Sequence, residues 1–119
     1  MRKIILGKTG QEVSTISLGT WSYGGANMQG NIPVGWEGQE DKDSINALKH
    51  CYKSGISHWD TADVYGNGRS EKIIGSLWND VPRNKIFLAT KVGWDMGSYE
   101  HYYHPTHMRK QMEKSLINL

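Results

Sequence analysis

Thiol is almost absent from this 119-residue chain: Cys51 is the one cysteine. An internal disulfide is therefore excluded, and a reducing, cytoplasmic setting is expected. Long apolar runs are missing too. No stretch approaches the roughly 20 residues of a membrane span, and the start, MRKII, has no long apolar segment after its two cations, so it does not read as a signal peptide. Charge of one sign is scarce, with a formal net charge of +2 and no basic run. Neither nucleic acid nor an acidic membrane is an expected partner. Low-complexity segments and linkers are lacking, and no repeat is visible beyond an alternation of strands and helices.

What remains is an ordinary globular composition, 37% hydrophobic and 22% charged. The length is that of one domain, and such a chain buries roughly two thirds of its unfolded surface if it folds alone. Fourteen glycines and five tryptophans are many for this size. The glycines fall mostly in candidate loops, as in an enzyme with elaborate turns.

Lys3–Leu6 and Glu12–Ser14 flank Gly7-Lys8-Thr9-Gly10 and read as a β-hairpin. Thr15–Leu18 is the first strand of a main sheet, ending at Gly19-Thr20-Trp21. Ser22–Gln39 holds five glycines and one proline and reads as a long loop, a wall of a site mouth. Glu40–Ser54 is a helix: Ile45, Leu48, Cys51 and Tyr52 recur at helical spacing, Asp41 and Asp43 occupy the favourable first turn, and Gly55 supplies the stop. Cys51 on that apolar face reads as a small core residue.

Ile56–Trp59 is the second strand, with His58 read as packing. Gly68–Trp78 is the second helix, with Ile73, Ile74, Leu77 and Trp78 on one face, and Gly75 expected to let it approach its strand closely. Ile86–Ala89 is the third strand. Gly93–Tyr103 is a second loop. Pro105 opens the last helix at a position where its missing N–H costs nothing, and Met108, Met112, Ser115, Leu116 and Leu119 are expected to line the buried face. Three strand–helix units imply parallel strands. Periodicity leaves a barrel and a doubly wound sheet both open.

The chemistry concentrates in His58–Gly75, HWDTADVYGNGRSEKIIG. Asp60 and Tyr65 follow the second strand, and Lys91 follows the third. In parallel α/β sheets the C-terminal strand ends share the face that carries the site. A carboxylate, a phenol and an ammonium gathered there form a group in which the cation eases proton loss from the tyrosine, which can then protonate an oxyanion near neutral pH. The run Gly66-Asn67-Gly68-Arg69-Ser70-Glu71 opens like a dinucleotide-binding glycine loop. However, Glu71 stands where a third glycine belongs and would repel a pyrophosphate, so Arg69, Ser70 and Glu71 are expected to fix the helix start instead. His101, His104 and His107 are spaced by three, but Pro105 interrupts them and no cysteine or carboxylate cluster joins them. Loop and cap roles are expected, and no metal.

DTADVYGNGRSEKIIG, with GTW after the first strand and TKVG after the third, resembles the aldo-keto reductase family, from Leu6 to the last residue. The resemblance implies the N-terminal part of a (βα)8 TIM barrel, about three βα units behind a hairpin that covers the barrel's bottom. It implies an NADP(H)-dependent oxidoreductase that reduces aldehydes or ketones to alcohols, with Tyr65 as proton donor, Lys91 as the tuning cation and Asp60 holding Lys91. It further implies that Gly19, Thr20, Trp21 and Asp60 contact the cofactor, and that Trp21 and Tyr65 line the pocket of a small-molecule carbonyl substrate. The family's catalytic histidine and its phosphate- and adenine-binding segments fall beyond Leu119.

A (βα)8 barrel needs about 250 residues. Residues 1–119 are accordingly expected to be a truncated N-terminal segment of one barrel domain, inactive alone, whose open sheet edges need the remainder of the barrel or a partner chain. The rival reading is a non-catalytic cofactor-binding or regulatory subunit, or an assembly module, of the same fold.

Overall fold

The computed structural model describes residues 1–119, the side chain of Gln29 excepted. β1 (Lys3–Ile5) and β2 (Glu12–Ser14) form the expected antiparallel hairpin, with Ile4 opposite Val13. Val13 points inward and is fully buried. Ser14 ties the hairpin to the main sheet: its Oγ accepts from the backbone N–H groups of Ser57 (3.0 Å) and His58 (3.2 Å). The hairpin is thereby fastened beside the N-terminal end of the central strand.

β3 (Ser17–Gly19) begins two residues later than its sequence pattern suggests, because Thr15 and Ile16 form the bend out of the hairpin. The stretch Ser22–Gln39 corrects the expectation of an unbroken loop. A 3-10 turn over Trp21–Gly24 leads into a second hairpin, β4 (Ala26–Gln29) and β5 (Ile32–Gly35), joined at Gly30-Asn31. A two-residue Gly-Asn connection between short strands is a recognised hairpin signal, here masked by the surrounding glycines.

α1 (Asp41–Lys53) comes next, with Gly55 in the left-handed stop. β6 (His58–Asp60), α2 (Arg69–Gly75), β7 (Phe87–Ala89) and α3 (Pro105–Asn118) complete the chain. β3, β6 and β7 make a parallel sheet in the order β3-β6-β7, in which Gly19, Asp60 and Ala89 share one register level. All three strands therefore deliver their following residues to the same rim.

The core lies between the central strand and the first two helices. Trp59 is completely buried among Leu48, Ile73, Ile74, Leu77, Val81 and Ile86, with its indole N–H donating to Ile56 O at 2.9 Å. Burying side chains of this size stabilises by about 1.5–3 kcal/mol each.

Two helical expectations need correction. α2 ends at Gly75 rather than Trp78, and Gly75 faces α3, not its own strand: a Cβ there would run into the carbonyl of Asn118. α3 turns inward a face that is only partly the expected one: Ser115 is buried and Leu119 packs against the core as the spacing suggests, but Met108, Met112 and Leu116 do not. Its buried residues are His107, Gln111 and Ser115, while Met108, Met112 and Leu116 are 44%, 44% and 74% exposed. Helical spacing identifies an apolar stripe but not what covers it, and inside this chain α3 meets α2 and the polar ground beneath the rim. No helix among the described residues is long and apolar enough to cross a membrane.

Candidate active site

Register places the site. Thr20 N–H and Thr20 Oγ both donate to Asp60 O, at 3.0 and 2.9 Å, and Thr61 N–H donates to Ala89 O at 2.9 Å. The ladder thus continues one residue past each strand, so the side chains of Asp60 and Lys91 leave a rigid edge. Lys91 Nζ donates to Asp60 Oδ1 at 2.6 Å and to Thr61 O at 2.8 Å. The same ammonium lies 5.3 Å from the centroid of the Tyr65 ring. Carboxylate, ammonium and phenol, far apart in the chain, converge at one rim.

Tyr65 is held by a tight turn. Its N–H donates to Ala62 O, its carbonyl accepts from Ser70 N–H (both 3.2 Å), and Gly66, Asn67 and Gly68 all have positive φ. Gly24 and Gly66 cross at backbone contact; a Cβ on Gly24 would sit 2.5 Å from Gly66 N. Only glycine permits that approach, which brings the Trp21–Gly24 turn against the tyrosine. The Trp21 ring consequently stacks on Tyr65 at 6.2 Å and 25°, and it meets Trp36 edge-on at 4.6 Å. Such pairs are worth about 0.5–1.5 kcal/mol beyond burial and fix the ring planes.

These groups border a cavity of about 1000 Å³, whose wall includes Trp21, Met28, Val34, Tyr65, Lys91 and Trp94. Asp60 is not on the wall but is bonded to Lys91, which is. Thr20 is fully buried, with its hydroxyl bonded to Asp60 O and to Ser70 Oγ (2.8 Å), so it braces the rim instead of facing the cavity. Gly19 has open space above it, with no atom within 4 Å of where a Cβ would stand. Met28 and Val34 were hidden from sequence reasoning inside the second hairpin, and Trp36 directly after it.

A polar floor lies beneath. Asp63 is buried; its N–H donates to Lys91 O at 3.1 Å, Oδ2 accepts from Gln111 Nε2 at 3.2 Å, and Oδ1 has no partner among the described residues. Burial pushes its carboxyl above the ordinary carboxylate range, the nearby Glu71 adds to the rise, and the Gln111 bond opposes it. Glu71 is fully buried between Thr90 Oγ (2.6 Å) and Asn118 Nδ2 (2.9 Å). Arg69 bonds Asp41 Oδ1 (2.8 Å) and Gln39 O (2.9 Å), joining α2 to the start of α1.

His101, His104 and His107 serve the last loop and helix. His101 stacks on Tyr103, His104 precedes α3 at its N-cap, and His107 Nε2 lies 2.5 Å from Asp95 O. No group of three or more metal-ligating side chains occurs among the described residues.

The family model for the aldo/keto reductase family matches residues 15–119. The chain belongs to that family. It is 32% identical over 115 residues to the versiconal hemiacetal acetate reductase of Aspergillus parasiticus, an alignment that takes in 95% of this chain and 32% of that protein. Among solved structures it resembles the aldo-keto reductase AKR11C1 from Bacillus halodurans in its holo form, with a TM-score of 0.75 and 26% identity over 100% of this chain and 36% of that one. An aldo-keto reductase from Klebsiella pneumoniae in complex with NADPH gives a TM-score of 0.67 at 25% identity, covering 99% and 36%. The chain spans about a third of the length of the relatives it matches. Its parallel sheet is unclosed, and three strand–helix units behind a hairpin make it an incomplete (βα)8 barrel.

Proposed function

We propose that residues 1–119 are the N-terminal segment of a single barrel domain, and that the complete barrel is an NADP(H)-dependent oxidoreductase reducing aldehydes or ketones to alcohols. The observation that carries this is the position of Lys91 Nζ, hydrogen-bonded to Asp60 and set over the Tyr65 ring at the cavity wall.

Tyr65 is the proton donor to the carbonyl oxygen. Charge develops on the phenol oxygen as the proton leaves, and the neighbouring ammonium stabilises it. Asp60 and Thr61 O keep that ammonium oriented, so no reorganisation is needed at the moment of transfer. The open backbone at Gly19 and the Trp21 ring suit the nicotinamide end of the cofactor, with Asp60 beside them, and Trp21 with Tyr65 suits a small carbonyl substrate. Once bound, the cofactor supplies the hydride.

The remainder of the barrel, or a partner chain, completes the cavity and closes the sheet, so the chain alone is expected to be inactive. A cytoplasmic location belongs to the same proposal, and the lone, half-buried Cys51 supports it. The test is NADPH oxidation by the complete protein with an aromatic aldehyde. The expected result is turnover that Asp60→Asn reduces by on the order of 10-fold or more. Cofactor binding without turnover of any aldehyde or ketone would instead indicate a non-catalytic subunit.

A further inference from the structure

Glu71 has a more demanding environment than a helix start requires. It is completely buried, both of its carboxyl oxygens accept hydrogen bonds, and no cation pairs with it among the described residues. A buried acid without a counter-charge is costly unless every lone pair is well used. Its two bonds reach different elements. Thr90, 2.6 Å away, is the residue between β7 and Lys91, and Asn118, at 2.9 Å, is the last residue of α3. A bond this short to a carboxylate is of the strong, charge-assisted kind.

Lys91 is anchored from two other sides, by Asp63 N–H on its carbonyl and by Asp60 and Thr61 O on its ammonium. Without the Thr90 bond the β7 end would be fixed on the β6 side alone. Thr90 directly follows the last strand residue, Ala89, so its bond acts on the strand end itself.

We propose that Glu71 is a positioning residue for Lys91: through Thr90 it fixes the C-terminal end of β7, and through Asn118 it ties that end to the terminus of α3. This rests on the catalytic reading of Lys91 given above. A helix-start role would need only a carboxylate near the α2 N-terminus. The positioning role needs the Thr90 hydroxyl as well, and it makes the effect of Glu71 depend on Lys91.

The experiment compares Glu71→Gln, Thr90→Val and Thr90→Ser in the complete protein, each with and without Lys91→Met. Glu71→Gln and Thr90→Val are expected to lower kcat by roughly 10- to 100-fold, the scale of a misplaced catalytic group, with KM and NADPH affinity nearly unchanged. Thr90→Ser keeps the hydroxyl and restores the rate. With Lys91→Met already present, Thr90→Val adds little, because the two act through one group. Hydrogen exchange at the Thr61 and Asp63 amides rises in Thr90→Val, while the β1–β2 hairpin is unaffected.

Unchanged exchange at those amides, or a full additional loss in the Lys91→Met background, overturns the proposal. Lys91→Met with the parent kcat overturns the catalytic reading instead. In that case faster exchange at Asp63 still supports Glu71 as the anchor of β7, and unchanged exchange removes that role too.

Discussion

α2 and α3 each follow a strand of the same sheet and carry an apolar stripe, yet they are used in opposite ways. The stripe of α2, with Ile73 and Ile74, is continued just past the helix end by Leu77 and is sealed against Trp59 and Leu48. The stripe of α3, with Met108, Met112 and Leu116, is open, and the helix turns His107, Gln111 and Ser115 inward. The β6–α2 unit seals its apolar residues against the core. In the β7–α3 unit Leu88 and Leu119 reach that core, but the residues that α3 itself buries are polar and lie at the floor under the cavity. Lys91 belongs to the second unit but reaches back into the first, where Asp60 and Tyr65 stand. Stability should therefore follow the first unit, and activity should depend on the join between the two.

The largest expected effect is on that join. In the complete protein Lys91→Met should lower kcat by about 10²–10⁴-fold, while thermal unfolding changes by no more than about 1 kcal/mol because the ion pair is half exposed. Leu77→Ala should do the reverse, destabilising by about 2–5 kcal/mol with the rate of the folded enzyme retained. Its counterpart on α3 is Met112→Ala. A cost as large as that of Leu77→Ala in urea unfolding means that the barrel's remainder covers the α3 stripe, whereas a cost within about 0.5 kcal/mol means that the stripe stays at the surface.

Gly75→Ala should destabilise by about 1–3 kcal/mol through overpacking against Asn118, despite the roughly 1 kcal/mol that alanine gains in helix propensity. The smallest effect concerns Asp63. Its folded value lies above the ordinary 3.8, so the folded state holds the proton longer than the unfolded chain. The resulting penalty is absent below that ordinary value, grows as pH rises from it toward the raised one, and levels off above the raised one. Asp63→Asn removes it. The melting-temperature difference, variant minus parent, should therefore be more favourable to the variant at about pH 7 than at about pH 3.5.

The same contrast shows how far the sequence could be read. Where local pattern and tertiary partner lie in one stretch, as in α1, α2, β6 and the first hairpin, the pattern led to the right elements to within a few residues. It reached Asp60, Tyr65 and Lys91 because the ends of parallel strands must meet at one rim. It missed the second hairpin, whose Gly-Asn turn sits among four other glycines that look like plain loop. In the last helix it put Ser115 and Leu119 inward correctly but misplaced Met108, Met112 and Leu116, because periodicity ranks faces by apolarity and most of the face buried here is polar. Glu71 was legible only as an ill-fitting residue in a glycine-rich run; that it bonds Thr90 and Asn118, 19 and 47 residues away, is visible only in three dimensions.

On the proposed mechanism the Tyr65 phenol, set beside Lys91, delivers the proton to the substrate oxygen. Tyr65→Phe in the complete protein removes that proton alone, with kcat for an aldehyde and NADPH affinity measured on the same preparation. The expected result is a loss of kcat on the order of 10²-fold or more with cofactor affinity preserved. Turnover by Tyr65→Phe at the parent rate would exclude Tyr65 as the proton donor.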